Sequence, residues 1–291
     1  MNRLKEKSLI RQISLSYRAL ASEECHYRKE VKELNLQYYG QTPSRLFEGA
    51  QPIDGKHGLC CPNVDLTKCR DFSKVDVAEI LAKIQTARGV LTFPNQSPNL
   101  SLNDQLFFAS LFGEPETHTA IKGVPGYPQI LEIIREKDAP VVFGEDWHSD
   151  HSFQSWPASF SFFRATGTMT PIGTNNTQFA HCIDAWNDLC PKLKSICFDL
   201  KASHSSLKAY GKAEQGGHAK NSLAAMQGTK GMIASDKPLL PDQYHPVVIT
   251  IPETGEEALF VSTTFTNGIV GMSADKGNAF IEHLQDFIVQ E

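Results

Sequence analysis

Residues 247–251 (VVITI) and 258–261 (ALFV) are strand-like runs, the first wholly β-branched and the second apolar, on either side of Pro252, Glu253, Thr254, Gly255 and Glu256, a turn-forming stretch. Together they spell an antiparallel hairpin. This constrains the chain more than any other feature, because a ribbon this short is stable only when packed on further sheet or helix. Two more strand-like runs precede it, 130–135 (ILEIIR) and 160–165 (FSFFRA). Helical spacing appears at 75–88, where Val77, Ile80, Leu81 and Ile84 share one side. Gly89 is the expected left-handed stop. A buried strand is expected at 90–93, a second amphipathic helix at 103–112 ending on Gly113, a helix over 182–193 and a closing helix over 274–289.

Early helices, scattered strands and long connections suit an α+β, mainly β fold. An antiparallel core with flanking helices, such as a double-stranded β-helix (jelly roll), fits better than a βαβ array. No GxGxxG follows a strand and no GxxxxGK[ST] occurs, so the usual nucleotide loops are absent. The 291 residues are 41% hydrophobic and 21% charged, a globular composition. With 28 basic against 33 acidic residues and a net charge of -5, the chain is not a general polyanion binder, and no nucleic-acid partner is expected. No apolar run approaches the roughly 20 residues that cross a bilayer, so no membrane partner is expected either.

Seven cysteines, an odd number without a CxxC pair, point to free thiols and a reducing compartment. Cys60, Cys61 and Cys69 lack the second half of a zinc site. Residues 1–45 read as an N-terminal helical extension or targeting segment. Leu9, Ile10, Ile13, Tyr17 and Leu20 fall at helical spacing among Arg3, Lys5, Lys7, Arg11 and Arg18. The expected location is cytoplasmic, with mitochondrial as the alternative. Residues 46–291 form the expected main domain. It is interrupted at 203–245 by a Gly-, Ala-, Lys-, Ser- and Gln-rich stretch that reads as a flexible insertion.

The chemistry concentrates at 145–153, EDWHSDHSF. On a strand, residues i and i+2 share a face, so His148 and Asp150 would aim an imidazole and a carboxylate at one point. These are two corners of a 2-His-1-carboxylate metal site. A hydrolase centre on His148, Asp150 and His151 is geometrically awkward, because neighbouring strand residues face opposite ways.

The stretch WHSDHSFQSWPASFSFF (147–163) resembles the WHTD-x-x-F…P region of the taurine dioxygenase-like (TauD/TfdA) family of Fe(II)/2-oxoglutarate dioxygenases. The resemblance continues upstream in GVLTFPNQ and LSLNDQLFFASLFGEPETH. Downstream it continues in NNTQFAHCIDAWNDL and HPVVITIPETGEEALFVSTTFTNGIVGMS. It runs from about 75 to 285, leaving out the insertion. It implies hydroxylation of a small, often anionic, organic molecule, with Fe(II) as cofactor, 2-oxoglutarate as cosubstrate and O2. His148 and Asp150 match the first two iron ligands, and Thr177 matches the threonine that binds a 2-oxoglutarate carboxylate. His118 matches a position that holds an anionic substrate group in some members. Asn175 and Asn176 depart from the usual Gly-Gly or Gly-Asp before Thr177.

The family's distal histidine and its cosubstrate arginine have no counterpart, the last arginine being Arg164. The resemblance therefore implies a C-terminally incomplete member lacking the final strands. His181, His204, His218, His245 and His283 are the candidate substitute ligands, and a homo-oligomer or a completing chain is the expected protein partner. The alternative reading is a catalytically inactive member acting as a binding or subunit-completing protein.

Overall fold

The computed structural model describes residues 7–16, 45–53, 57–136, 144, 146–167, 176–211, 240–252 and 254–290; of 7–16 it describes the backbone only. The chain divides into two compact units, Leu15–Pro115, and Met1–Ser14 with Glu116–Glu291.

The first unit holds a small sheet of β2 (Gln51–Pro52), β3 (Leu59–Cys60) and β4 (Leu91–Thr92), in that order. β3 and β4 run parallel, Leu59 opposite Leu91, because helix α1 (Lys74–Thr86) carries the chain back between them. Ser73 and Asp76 start α1 with a reciprocal capping box. Its end differs from the expectation. Arg88 takes the first left-handed position (φ 54°), with Gly89 (φ 97°) following, and the Gly89 N–H reaches back to the Ile84 carbonyl at 2.8 Å. This is a Schellman stop with arginine where glycine is cheapest.

Helix α2 (Leu102–Ser110) opens with a second capping box, Ser101 with Asp104. Ser101→Ala is expected to lower the stability of this unit by about 1 kcal/mol, read from a urea midpoint. The core gathers on Phe108, which meets Phe72, Phe93 and Phe112 edge-on at 6.3, 5.9 and 5.1 Å.

Among the described residues, the second unit contains three sheets. β5 (Leu131–Glu136), β1 (Lys7–Ser16) and β6 (Ala158–Gly167) form one in the order β5-β1-β6, with Leu9 opposite Ile134. The helical spacing expected over the first twenty residues is therefore overturned at Lys7–Ser16. Leu9, Ile13 and Leu15 also fit an alternating pattern, and a partner strand decides between the two periods. The rest of the expected extension, 1–6 and 17–44, lies outside the described residues.

β7 (Lys201–His204) sits between β11 (Thr266–Ile269) and β8 (Gln243–Pro246). The insertion expected at 203–245 is thus narrower, because its two ends pair with each other, Ser203 opposite Tyr244. Residues 212–239 lie outside the described set. The hairpin read from the sequence is present as β9 (Val248–Thr250) and β10 (Glu257–Leu259), with Gly255 at φ 75° in its turn.

The single helix expected over 182–193 is two, α3 (Cys182–Asp188) and α4 (Pro191–Phe198). Pro191 cannot continue a helix but is favoured in a first turn. The short α5 (Ser206–Tyr210) follows β7, and α6 (Ala274–Ile288) closes the described chain. α6 buries Ile281, Leu284 and Ile288 in a cluster with Trp186, Val247, Leu259 and Ile269. The Trp186 indole N–H donates to Glu257 at 2.8 Å, which ties α3 to the hairpin. A second cluster joins Ala120, Ile121, Leu131, Phe153, Tyr210 and Phe265. The candidate site stands beside this second cluster. No helix among the described residues is long and apolar enough to cross a membrane.

Candidate metal centre

His148 and Asp150 do not lie on a strand. Residues 147–149 are irregular and 150–153 form a turn, with His151 left-handed at φ 56°. The expected pairing of the two side chains nevertheless holds: His148 Nε2 is 3.3 Å from Asp150 Oδ1. The turn achieves what strand alternation was expected to achieve, and Thr264 helps hold it by donating its hydroxyl to the Trp147 carbonyl at 3.0 Å.

Each donor is oriented from behind. The Asp146 carbonyl can only accept, so His148 Nδ1 donates to it at 2.7 Å and the opposite nitrogen, Nε2, faces Asp150. Ser161, on β6, donates its hydroxyl to Asp150 Oδ2, leaving Oδ1 for the His148 side. The side chains of His148 and Asp150 are 25% and 23% exposed, shielded but reachable from solvent.

Burial alone would lower the His148 pKa, but the hydrogen bonds to Asp150 and the Asp146 carbonyl, with their charges, raise it. Burial would raise the Asp150 pKa, and the hydrogen bonds from His148 and Ser161 bring it below the usual carboxylate range instead. Both shifts report the one pairing of His148 Nε2 with Asp150 Oδ1. A divalent cation in place of the shared proton would meet the same two donor atoms. Cis donors on a six-coordinate ion with bonds of about 2.1 Å lie about 3 Å apart, close to the observed separation. The nitrogen–oxygen donor set is the type that takes Fe(II) or Mn(II).

His118 is buried. It is 3% exposed, and its Nδ1 accepts the backbone N–H groups of Ala120 and Ile121, both at 3.0 Å. The ring proton is therefore on Nε2, a fixed donor. His118 meets His151 edge-on at 4.9 Å and Tyr210 at 5.2 Å. Phe153 lies 5.9 Å from His118 and 5.0 Å from Phe265, and Phe265 lies 5.9 Å from His148. One aromatic chain thus links His118 to the candidate centre. Burial, and then the Asp150 charge, push the Tyr210 hydroxyl well above its ordinary pKa, so it stays protonated.

His151, 4% exposed, has its Nδ1 3.9 Å from Glu116 Oε2. This places it in the His118 cluster, so it is not a third corner beside Asp150. Thr177 is exposed, in the irregular segment before α3. His181 caps α3, its Nδ1 accepting from the Asp184 N–H at 3.2 Å, and His204 packs on His245. His218 lies outside the described residues. Ser161 was missed by reading the sequence, although a lone hydroxyl in the apolar run FSFF was a visible signal.

The sequence profile described as "Taurine catabolism dioxygenase TauD, TfdA family" matches residues 48–291. The chain is 29% identical over 250 residues to an alkylsulfatase of Acinetobacter baylyi, covering 86% of this chain and 73% of that protein. It is 25% identical to an alpha-ketoglutarate-dependent sulfonate dioxygenase of Saccharomyces cerevisiae, covering 81% of this chain. The chain spans 54% of that yeast protein and 55% of a Schizosaccharomyces pombe relative. Among solved structures, a taurine dioxygenase from Burkholderia xenovorans is similar at a TM-score of 0.56 and 21% identity, covering 82% of this chain and 71% of that one. AAD-2 in complex with Mn(II) and N-oxalylglycine is similar at 0.54 and 19%, covering 83% of this chain and 79% of that one.

Proposed function

Because the chain belongs to the taurine catabolism dioxygenase TauD, TfdA family, we propose that it serves an Fe(II)/2-oxoglutarate-dependent hydroxylation of a small anionic organic molecule. A sulfonate or a sulfate ester is the class favoured by the printed names of its relatives. Those names are names of enzymes, which favours the catalytic reading over an inactive binding subunit. In this reading the sheets of the second unit belong to a jelly roll, and the location is cytoplasmic.

The carrying observation is the convergence of His148 Nε2 and Asp150 Oδ1, 3.3 Å apart, each oriented by a hydrogen bond on its far side. These two residues would hold Fe(II). When bound, the iron with 2-oxoglutarate and O2 supplies the oxidising power that a C–H bond requires. The chain's own residues do the rest. The Asp146 carbonyl holds the His148 proton on Nδ1, which leaves the Nε2 lone pair for the metal. Thr177 donates its hydroxyl to a carboxylate of 2-oxoglutarate. His118, with its proton held on Nε2, donates to the anionic group of the substrate. Phe153 and Phe265 form an apolar wall that keeps water from the reacting carbon.

Anaerobic titration of Fe(II) with and without 2-oxoglutarate tests this reading, through the weak metal-to-ligand charge-transfer band of the ternary complex. His148→Ala is expected to abolish the band and to weaken metal binding at least 100-fold, an order-of-magnitude value for losing a ligand. A band that survives in His148→Ala removes the ligand assignment.

A further inference from the structure

The carboxylate of Asp150 is used at both oxygens, and only one of them faces His148. Oδ1 lies 3.3 Å from Nε2, while Oδ2 receives the hydroxyl of Ser161. Ser161 stands on β6, eleven positions along the chain, so its hydroxyl is fixed by the sheet and not by the turn that carries Asp150. Ser161 lies between Phe160 and Phe162 on β6, and it is partly buried where Ser159 and Phe163 on the same face are exposed. The bond makes Oδ2 an acceptor for the protein, while Oδ1 faces His148 Nε2.

We infer that Ser161 is the positioning residue of the metal centre, fixing the orientation of the Asp150 carboxylate through Oδ2. This rests on the reading of His148 and Asp150 as metal ligands. A carboxylate already turned by a hydroxyl on one oxygen would lose less rotational freedom on meeting a cation with the other, which would raise metal affinity. The symmetry of support is chemical: the Asp146 carbonyl turns the imidazole and the Ser161 hydroxyl turns the carboxylate, so both donors are pre-oriented before a cation arrives.

The test uses Mn(II) as the probe, with free metal followed by electron paramagnetic resonance, on the full chain and three variants. Ser161→Thr keeps the hydroxyl, and Ser161→Val matches threonine in shape without it. The expected result is Mn(II) binding by Ser161→Thr within about threefold of the parent and by Ser161→Val weaker by roughly 10–100-fold, the range for removing a group that supports a ligand. The two variants should melt within a few degrees of each other, since they differ only in the hydroxyl. Equal Mn(II) affinity of the Thr and Val proteins overturns the assignment of Ser161. His148→Ala separates the two levels. If it binds Mn(II) like the parent, the metal centre itself is wrong. If it loses Mn(II) while Ser161→Val retains it, only the role of Ser161 falls.

Discussion

Gly123→Ala is expected to lower the stability of the unit that carries the candidate site by about 3 kcal/mol, among the larger single-residue effects in this chain. A Cβ at residue 123 would lie 2.3 Å from the Pro128 carbonyl oxygen and 2.5 Å from its carbon. Both are backbone atoms, which no rotamer change can move aside. The turn between them is tightly bonded: Val124 N–H donates to the Ile130 carbonyl and Tyr127 N–H to Val124, each at 2.8 Å. Relief therefore requires the whole loop to open, and Ile121 and Ile130, both buried, sit at its two ends.

Gly126 in the same turn is the control. Its φ of 81° disfavours a side chain, but nothing lies within 4 Å of its Cβ position, so Gly126→Ala should cost only about 1 kcal/mol of backbone strain. Urea midpoints of the two variants check the ranking, and equal losses would mean that Pro128 yields easily. The loop also delivers the Ala120 and Ile121 N–H groups to His118, so Gly123→Ala should loosen that anchor as well.

Acidification is the second large effect, and His204 is its source. The residue is 1% exposed, and both ring nitrogens are without a hydrogen-bond partner among the described residues. Burial pushes its pKa down to about 3, and the neighbouring His245 and Lys208 push the same way against the pull of Asp242. The unfolded chain takes up this proton near the ordinary value of about 6.5, whereas the folded chain refuses it until about pH 3. Stability is therefore complete above about pH 6.5 and falls progressively as pH drops toward 3. Between pH 7 and pH 5 the loss from this residue is about 2 kcal/mol. The His245 pKa is also lowered by burial, and adds to the same slope.

His204→Leu should flatten the acid limb of a urea-midpoint profile. It should also change stability little at pH 7, because the unpartnered ring N–H is removed along with the stacking on Phe260 at 5.4 Å. Parallel profiles for the parent and His204→Leu would show that His204 is protonated in the fold without penalty.

Locally encoded features were legible in advance. The helix Lys74–Thr86 follows from apolar spacing and a serine cap, and the hairpin Val248–Thr250 with Glu257–Leu259 from a β-branched run, an apolar run and a Gly255 turn. Where a segment satisfied two patterns, reading failed. Lys7–Ser16 fits both helical and alternating periods, and pairing with Leu131–Glu136 selects the strand. Ser203 and Tyr244 looked like parts of one polar insertion until the pairing of β7 with β8 set them side by side.

The candidate site divides in the same way. That His148 and Asp150 converge was readable from their spacing alone, since any backbone that curves or pleats over three residues can bring i and i+2 together; the strand offered as the means was wrong. What the sequence by itself determined is the donor chemistry, an imidazole and a carboxylate two residues apart, and the family pattern around them. Only the tertiary structure decided which nitrogen and which oxygen meet. The Ser161 hydroxyl arrives from the strand β6, the His118 tautomer is set by backbone N–H groups, and Phe265 arrives from more than a hundred residues away. Hydrogen bonds between distant segments have no period in the chain, so their partners appear only when the sheet and the turn are built.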